Sequence, residues 1–202
     1  MELILASKSP RRREILTMLG VAHTVLSLDV DEDGEREHID PATLVMGLAS
    51  RKVRAAWDAV IQNTPDTDAV ILSADTIVYD GEHVLEKPTD KDDAHRMISM
   101  LSGKSHAVYT GIAAMYKGKL AMDVSETHVT FRKLSEDDIA AYVATGEPMG
   151  KAGSYAVQGK GSLLVEKIEG DYYNVVGLPV ARLDDMLKGA FGFGLAALQN
   201  SK

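Results

Sequence analysis

The sequence predicts an α/β fold on a mixed sheet, from three observations. Short, bounded apolar runs, Leu3–Ala6 and Ala69–Ala74, read as buried strands. Stretches with helical spacing and recognisable caps alternate with them. Turn signals at Asp80-Gly81 and Lys117-Gly118 join neighbouring strands tightly.

In chain order, Leu3–Ala6 leads into Ser7-Lys8-Ser9-Pro10-Arg11-Arg12-Arg13. Ser9 before Pro10 predicts a helix start, the serine hydroxyl as cap and proline in the first turn, with Gly20 closing the helix. Val21–Leu28 predicts a second strand, running into the acidic loop 29–34. Asp40-Pro41 opens a long helix with Leu44, Val45, Leu48, Val53 and Ala56 inward, and 62–68 is a polar linker. Ala69–Ala74 is the next strand, ending at Asp75-Thr76. Thr89 or Asp90 caps a helix whose apolar face is Ala94, Met97, Ile98 and Leu101, stopped by Gly103. His106–Phe131 reads as two long strands, and Ser135–Asp138 as a capping box for a helix to about Thr145. Strands around Tyr155–Val157 and Ser162–Ile168 and a final helix from Pro179 to about Leu187 complete the domain, 1–188. The tail, 189–202, is expected to be poorly held.

With 202 residues, 45% hydrophobic and 26% charged, the chain has the make-up of an ordinary globule. No apolar run approaches a membrane span, and the N-terminus lacks a signal-peptide pattern. The absence of cysteine excludes disulfide and thiol chemistry and fits a cytoplasmic address. A net charge of −8 argues against a nucleic-acid-binding surface. A local basic focus on an acidic body points instead to a small phosphorylated ligand.

That focus is Lys8 with Arg11, Arg12 and Arg13. A helix N-terminus carries partial positive charge and favours acids in its first turn; here arginines add to it, which becomes favourable once an anion binds. A solvated basic turn is the plainer alternative. Asp75, at the end of an apolar strand, can hold a divalent metal or take a proton from water; a lone aspartate there can equally cap a turn. Glu32 reads as metal ligand or surface charge, and Lys52 and Lys87 as cleft or solvated cations. Gln158-Gly159-Lys160-Gly161 admits close backbone approach to a ligand, and a tight hairpin explains it nearly as well. His106 reads as packed or hydrogen-bonded at a strand start, and none of the six histidines has metal-ligand spacing.

Together these pieces resemble the Maf family of nucleoside triphosphate pyrophosphatases. The matching stretches are Leu5-Ala6-Ser7-Lys8-Ser9-Pro10-Arg11-Arg12, Ser73-Ala74-Asp75-Thr76, Glu86-Lys87-Pro88, Ser102-Gly103 through His106 to Gly111, Lys151–Tyr155 with Gln158-Gly159, and Asn174–Pro179. They stand in family order. One departure is Gly150, where many members carry Asp.

The resemblance implies an elongated mixed sheet in two lobes with a central cleft, similar to inosine triphosphate pyrophosphatase-like folds, often as a homodimer. It implies cleavage of a nucleoside triphosphate to monophosphate and pyrophosphate with Mg²⁺ or Mn²⁺. Ser7, Ser9, Arg11 and Arg12 would bind phosphate, Asp75 would be the general base, and Glu32, Lys52 and Lys87 would be the charged cleft residues associated with activity; Glu32 and Asp75 would then hold the metal. Arg12, Thr76 and Gln158 resemble the dTTP/UTP type. The alternatives are a 7-methyl-GTP-type enzyme and a nucleotide-binding regulator of cell division without catalysis. Neither nucleic acid nor membrane is an expected partner.

Overall fold

The computed structural model of the chain describes residues 1–30 and 39–199. Its elements are β1 (Glu2–Leu5), α1 (Pro10–Met18), β2 (His23–Val25), α2 (Pro41–Asn63), β3 (Ala69–Tyr79), β4 (Val84–Leu85), α3 (Lys91–Leu101), β5 (Ser105–Tyr116), β6 (Lys119–Phe131), α4 (Glu136–Ala144), β7 (Val165–Glu169), α5 (Tyr172–Val176) and α6 (Val180–Phe191). Strand order is β2-β1-β3-β5-β6-β7, with β4 beside β3. β1 is parallel to β2 and β3, whereas β3–β4 and β6–β7 are antiparallel, so the sheet is mixed as predicted.

The chain divides into two units. The first comprises Met1–Asp75, Thr110–Ser125 and Gly177–Lys202. Its α2 starts at Asp40, whose carboxylate accepts from the Thr43 N–H at 2.9 Å, with proline next. Ala49, Val53 and Ala56 recur at helical spacing and bury against Ala6, Ile71, Ala113 and Met115. Small residues let α2 lie close on the sheet. At Gly111 of β5 an added Cβ would stand 2.4 Å from the Val45 carbonyl group, so this contact admits only glycine. The Ser73 hydroxyl donates to the Ala49 carbonyl at 2.7 Å, a second tie between strand and helix.

The second unit comprises Thr76–Tyr109 and Glu126–Val176. Its core gathers Val78, Ile98, Leu101, Val108, Phe131, Ile139 and Tyr155. Asp90, not Thr89, caps α3 by accepting from the Asp93 N–H. The capping box at α4 forms as predicted, Ser135 and Asp138 each accepting from the other's backbone. His106 is buried, bonded to the Tyr155 hydroxyl at 2.8 Å and edge-on to Phe131. Burial lowers its pKa to about 4.

Five expectations about element bounds and form need correcting. β2 spans only His23–Val25, because Val21 instead pairs with Gln199. β3 does not end at Asp75: Ile77 and Val78 stay buried, and the strand continues to Tyr79. No strand forms around Tyr155–Val157, and β7 begins at Val165, because backbone at positive φ (Gly150, Gly153, Ser154, Gly159) breaks any extended run. The Gln158–Gly161 stretch is accordingly a 3₁₀ turn rather than a hairpin. Lastly, 189–199 is held: α6 continues to Phe191, Gly192 caps it at φ 80°, and the Leu195 N–H donates to Asp184 at 2.6 Å. Leu195 and Leu198 are buried. No helix among the described residues is long and apolar enough to cross a membrane.

Candidate active site

In the first unit the parallel pairing of β1 and β3 stops at Leu5 and Leu72. Both strands send their polar groups past this edge: Ser7 follows Leu5, and Asp75 follows Leu72. Asp75 thus lies inside its own strand, yet outside the carboxyl end of its parallel neighbour, where open α/β sheets take ligands.

Ser7 and Arg12 are brought together. Arg12 is buried, its Nε donating to the Gly177 carbonyl at 2.8 Å and its Nη1 to Ser7 Oγ at 3.1 Å. The Ser9 N–H donates to the same Oγ at 3.2 Å. The expected cap is therefore reversed: Ser9 makes no side-chain cap bond, and Ser7 serves its backbone instead. Having accepted twice, the Ser7 hydroxyl has its hydrogen to offer, a donor suited to a phosphate oxygen. The first turn of α1 holds no acid, and Arg11 is half-buried on it. Lys8 turns to Asp29 at the surface, and Arg13 is exposed.

Lys52 and Asp75 form the second grouping. Lys52 Nζ meets Asp75 Oδ1 at 2.5 Å, the two side chains only 19% and 15% exposed. The close docking of α2 at Gly111 and Ser73 holds Lys52 over the strand. With Oδ1 on the lysine, Oδ2 can serve a water or a cation. Among the described residues no three His, Asp or Glu gather as a metal cluster. One carboxylate still fits Mg²⁺, which commonly takes one or two carboxylates and completes its shell with substrate phosphates and water. The second expected ligand, Glu32, lies outside the described residues.

The second unit carries Thr76, half-buried in β3, exposed Lys87 after β4, and exposed Gln158 at the head of the 159–164 turn. Sequence reasoning missed Glu147, whose carboxylate accepts from the Lys160 and Gly161 N–H groups at 3.1 and 2.8 Å. Its signal was available: Gly150, Gly153, Gly159 and Gly161 interrupt the strands read there, the N–H groups of such a run need acceptors, and Glu147 is an acid just before it.

The family model described as Maf-like protein matches residues 2–190. The chain belongs to the Maf family. Maf relatives include a dTTP/UTP pyrophosphatase of Caldanaerobacter subterraneus subsp. tengcongensis, 45% identical over 194 residues, 95% of this chain and 90% of that one. Those of Moorella thermoacetica and Bacillus anthracis are 47% and 46% identical, over 92% and 93% of this chain and 93% and 94% of theirs. Among solved structures, the Staphylococcus aureus Ham1 protein overlaps only partially (TM-score 0.41, 12% identity, 64% of this chain and 72% of that one), so the fold assignment rests on the topology above.

Proposed function

We propose that this Maf chain is a nucleoside triphosphate pyrophosphatase that hydrolyses dTTP and UTP to the monophosphate and pyrophosphate, clearing such nucleotides from the cytoplasmic pool. The observation that carries this reading is the near full-length identity of 45–47% to proteins named dTTP/UTP pyrophosphatases. Arg12, Thr76 and Gln158, the residues by which the chain resembles that type, are all present.

Phosphoryl transfer calls for charge neutralisation and positioning more than covalent help. Ser7, Arg11, Arg12 and the acid-free N-terminus of α1 bind the phosphates, Ser9 being held by Ser7 so that the turn keeps its shape. Asp75 orients the attacking water and accepts its proton through Oδ2, while Lys52 fixes the carboxylate through Oδ1. Lys87 would supply further positive charge, as the family resemblance implies. A divalent cation, Mg²⁺ or Mn²⁺, would be held by Asp75 and Glu32 and, when bound, would supply further neutralisation of phosphate oxygens. The amide of Gln158 and hydroxyl of Thr76 offer donors and acceptors to a pyrimidine edge, and a site built on such bonds rejects bases that leave them unmet. On the same reading the substrate is a free nucleotide rather than nucleic acid or membrane, and the working form would be the homodimer that the family resemblance implies.

Pyrophosphate release over a panel of natural and modified nucleoside triphosphates with Mg²⁺ tests this. Faster hydrolysis of dTTP and UTP than of purine nucleotides supports it. Preference for 7-methyl-GTP would refute the substrate assignment, and binding without pyrophosphate release would make the chain a regulator.

A further inference from the structure

One half-buried acid has no part in the chemistry just described. Glu147 lies between α4 and the glycine-bearing run 150–161, and its carboxylate turns onto the chain itself. Oε1 accepts from the Gly161 N–H at 2.8 Å and from the Tyr142 hydroxyl at 3.1 Å. Oε2 accepts from the Lys160 N–H at 3.1 Å. The Tyr142 oxygen in turn accepts from the Ala156 N–H at 3.2 Å, and Lys151 Nζ donates to the Glu147 carbonyl. Burial alone would raise the Glu147 pKa, but the bonds from Gly161, Lys160 and Tyr142 outweigh it and keep the acid below its ordinary range.

The clasp leaves no spare room. A Cβ on Gly159 would stand 2.8 Å from Glu147 Oε2, and one on Gly161 would stand 2.1 Å from the Ala156 carbonyl oxygen. The loop lacks strand pairing of its own, so its N–H groups must find acceptors elsewhere, and one carboxylate supplies two of them. Gln158 is the residue immediately before this clasped turn, with extended backbone and an exposed side chain.

We propose that Glu147 is a positioning residue for Gln158: its carboxylate, gripped by the Lys160 and Gly161 N–H groups, fixes the loop from which the amide of Gln158 reads the base. The inference rests on the assignment of Gln158 as a base-reading residue. Glu147→Gln keeps the shape but faces an amide NH₂ toward a backbone N–H, so one of the two grips is lost.

The test compares steady-state hydrolysis of dTTP, UTP and dGTP by wild type, Glu147→Gln, Gln158→Ala and the double variant, with thermal melting of each. A variant that keeps its melting transition should show KM for dTTP raised roughly tenfold, the size of one charge-assisted hydrogen bond. Its kcat should stay within about twofold, and dGTP should change little, because uniform binding of the base is what is lost. In the Gln158→Ala background the Glu147 substitution should add nothing further. Equal losses for dTTP and dGTP, or full additivity in the double variant, would overturn the inference by making Glu147 a general support. If Glu147→Gln shows no folded transition, Glu147→Asp, which keeps the charge and shortens the reach, is read in the same way. A wild-type enzyme without pyrimidine preference removes the reading of Gln158 itself. A wild-type preference that Glu147→Gln leaves untouched overturns only the role of Glu147.

Discussion

Lys52 and Asp75 meet across a helix and a strand, whereas Glu147 meets a loop that has neither. In the first unit the polar groups hang on regular elements: Arg12 on α1, Lys52 on α2, Asp75 on β3. The backbone of those elements is satisfied by helix and strand bonding, and Lys52 and Asp75 are left to turn to a ligand or to one another. In the second unit much of the 145–164 segment is irregular, and side chains are spent on holding backbone: Glu147 on the Lys160 and Gly161 N–H groups, Tyr142 on the Ala156 N–H, and, outside that segment, Ser102 Oγ accepting from the Leu134 N–H at 2.9 Å. Groups that must face several charges at once gain from rigid supports. Groups that read the edge of a neutral base can stand on a loop, provided something clasps it.

The contrast can be broken first at Asp75. Asp75→Asn should lower pyrophosphate release from dTTP about a thousandfold, the scale of a lost general base, with melting close to wild type. Retained turnover would strip the first unit of its proposed base. Acid tests the second unit next. His106, ordinarily titrating at 6.5, is lowered to about 4 by burial, so the unfolded chain takes up its proton before the folded chain does. Its contribution is complete above pH 6.5 and is lost as pH falls from there to about 4, ~3 kcal/mol in all. Urea midpoints at pH 7, 5 and 4 should show this slope, and His106→Asn should flatten it. Gly111→Ala returns to the first unit: its methyl meets the Val45 carbonyl group, so a loss of about 2 kcal/mol is expected by urea titration, with kcat falling as α2 moves Lys52. The smallest effect is Ser135→Ala, which removes one half of a surface capping box and should cost about 1 kcal/mol by the same titration.

The same contrast explains what the sequence disclosed. Apolar spacing placed α2 and α3 with their buried faces, and the caps at Asp40 and Ser135 fell where side-chain chemistry requires them. The strand-to-helix turn after β1 was legible because serine, proline and arginine cluster there. Less visible was that Ser7, not Ser9, serves the turn, since two serines one residue apart offer the same hydroxyl. Local pattern also ended β3 too early: Asp75 and Thr76 are polar, and only burial of Ile77 and Val78 carries the strand onward. The 145–164 segment stayed closed because its order comes from Glu147 and Tyr142, whose bonds to irregular backbone no periodicity announces. The tail was misjudged for a similar reason: Leu195 and Leu198 find burial, and Asp184 gives the Leu195 N–H its acceptor.

Gln199 closes that tail onto the far end of the arginine helix, its Nε2 donating to the Leu19 carbonyl at 2.8 Å while its backbone bridges Val21. A protease trimming the chain back to Gly192 would leave every charged side chain of α1 intact and yet unfasten the end of the helix opposite them. The helix that carries Arg11 and Arg12 can therefore loosen through a cut nowhere near its arginines.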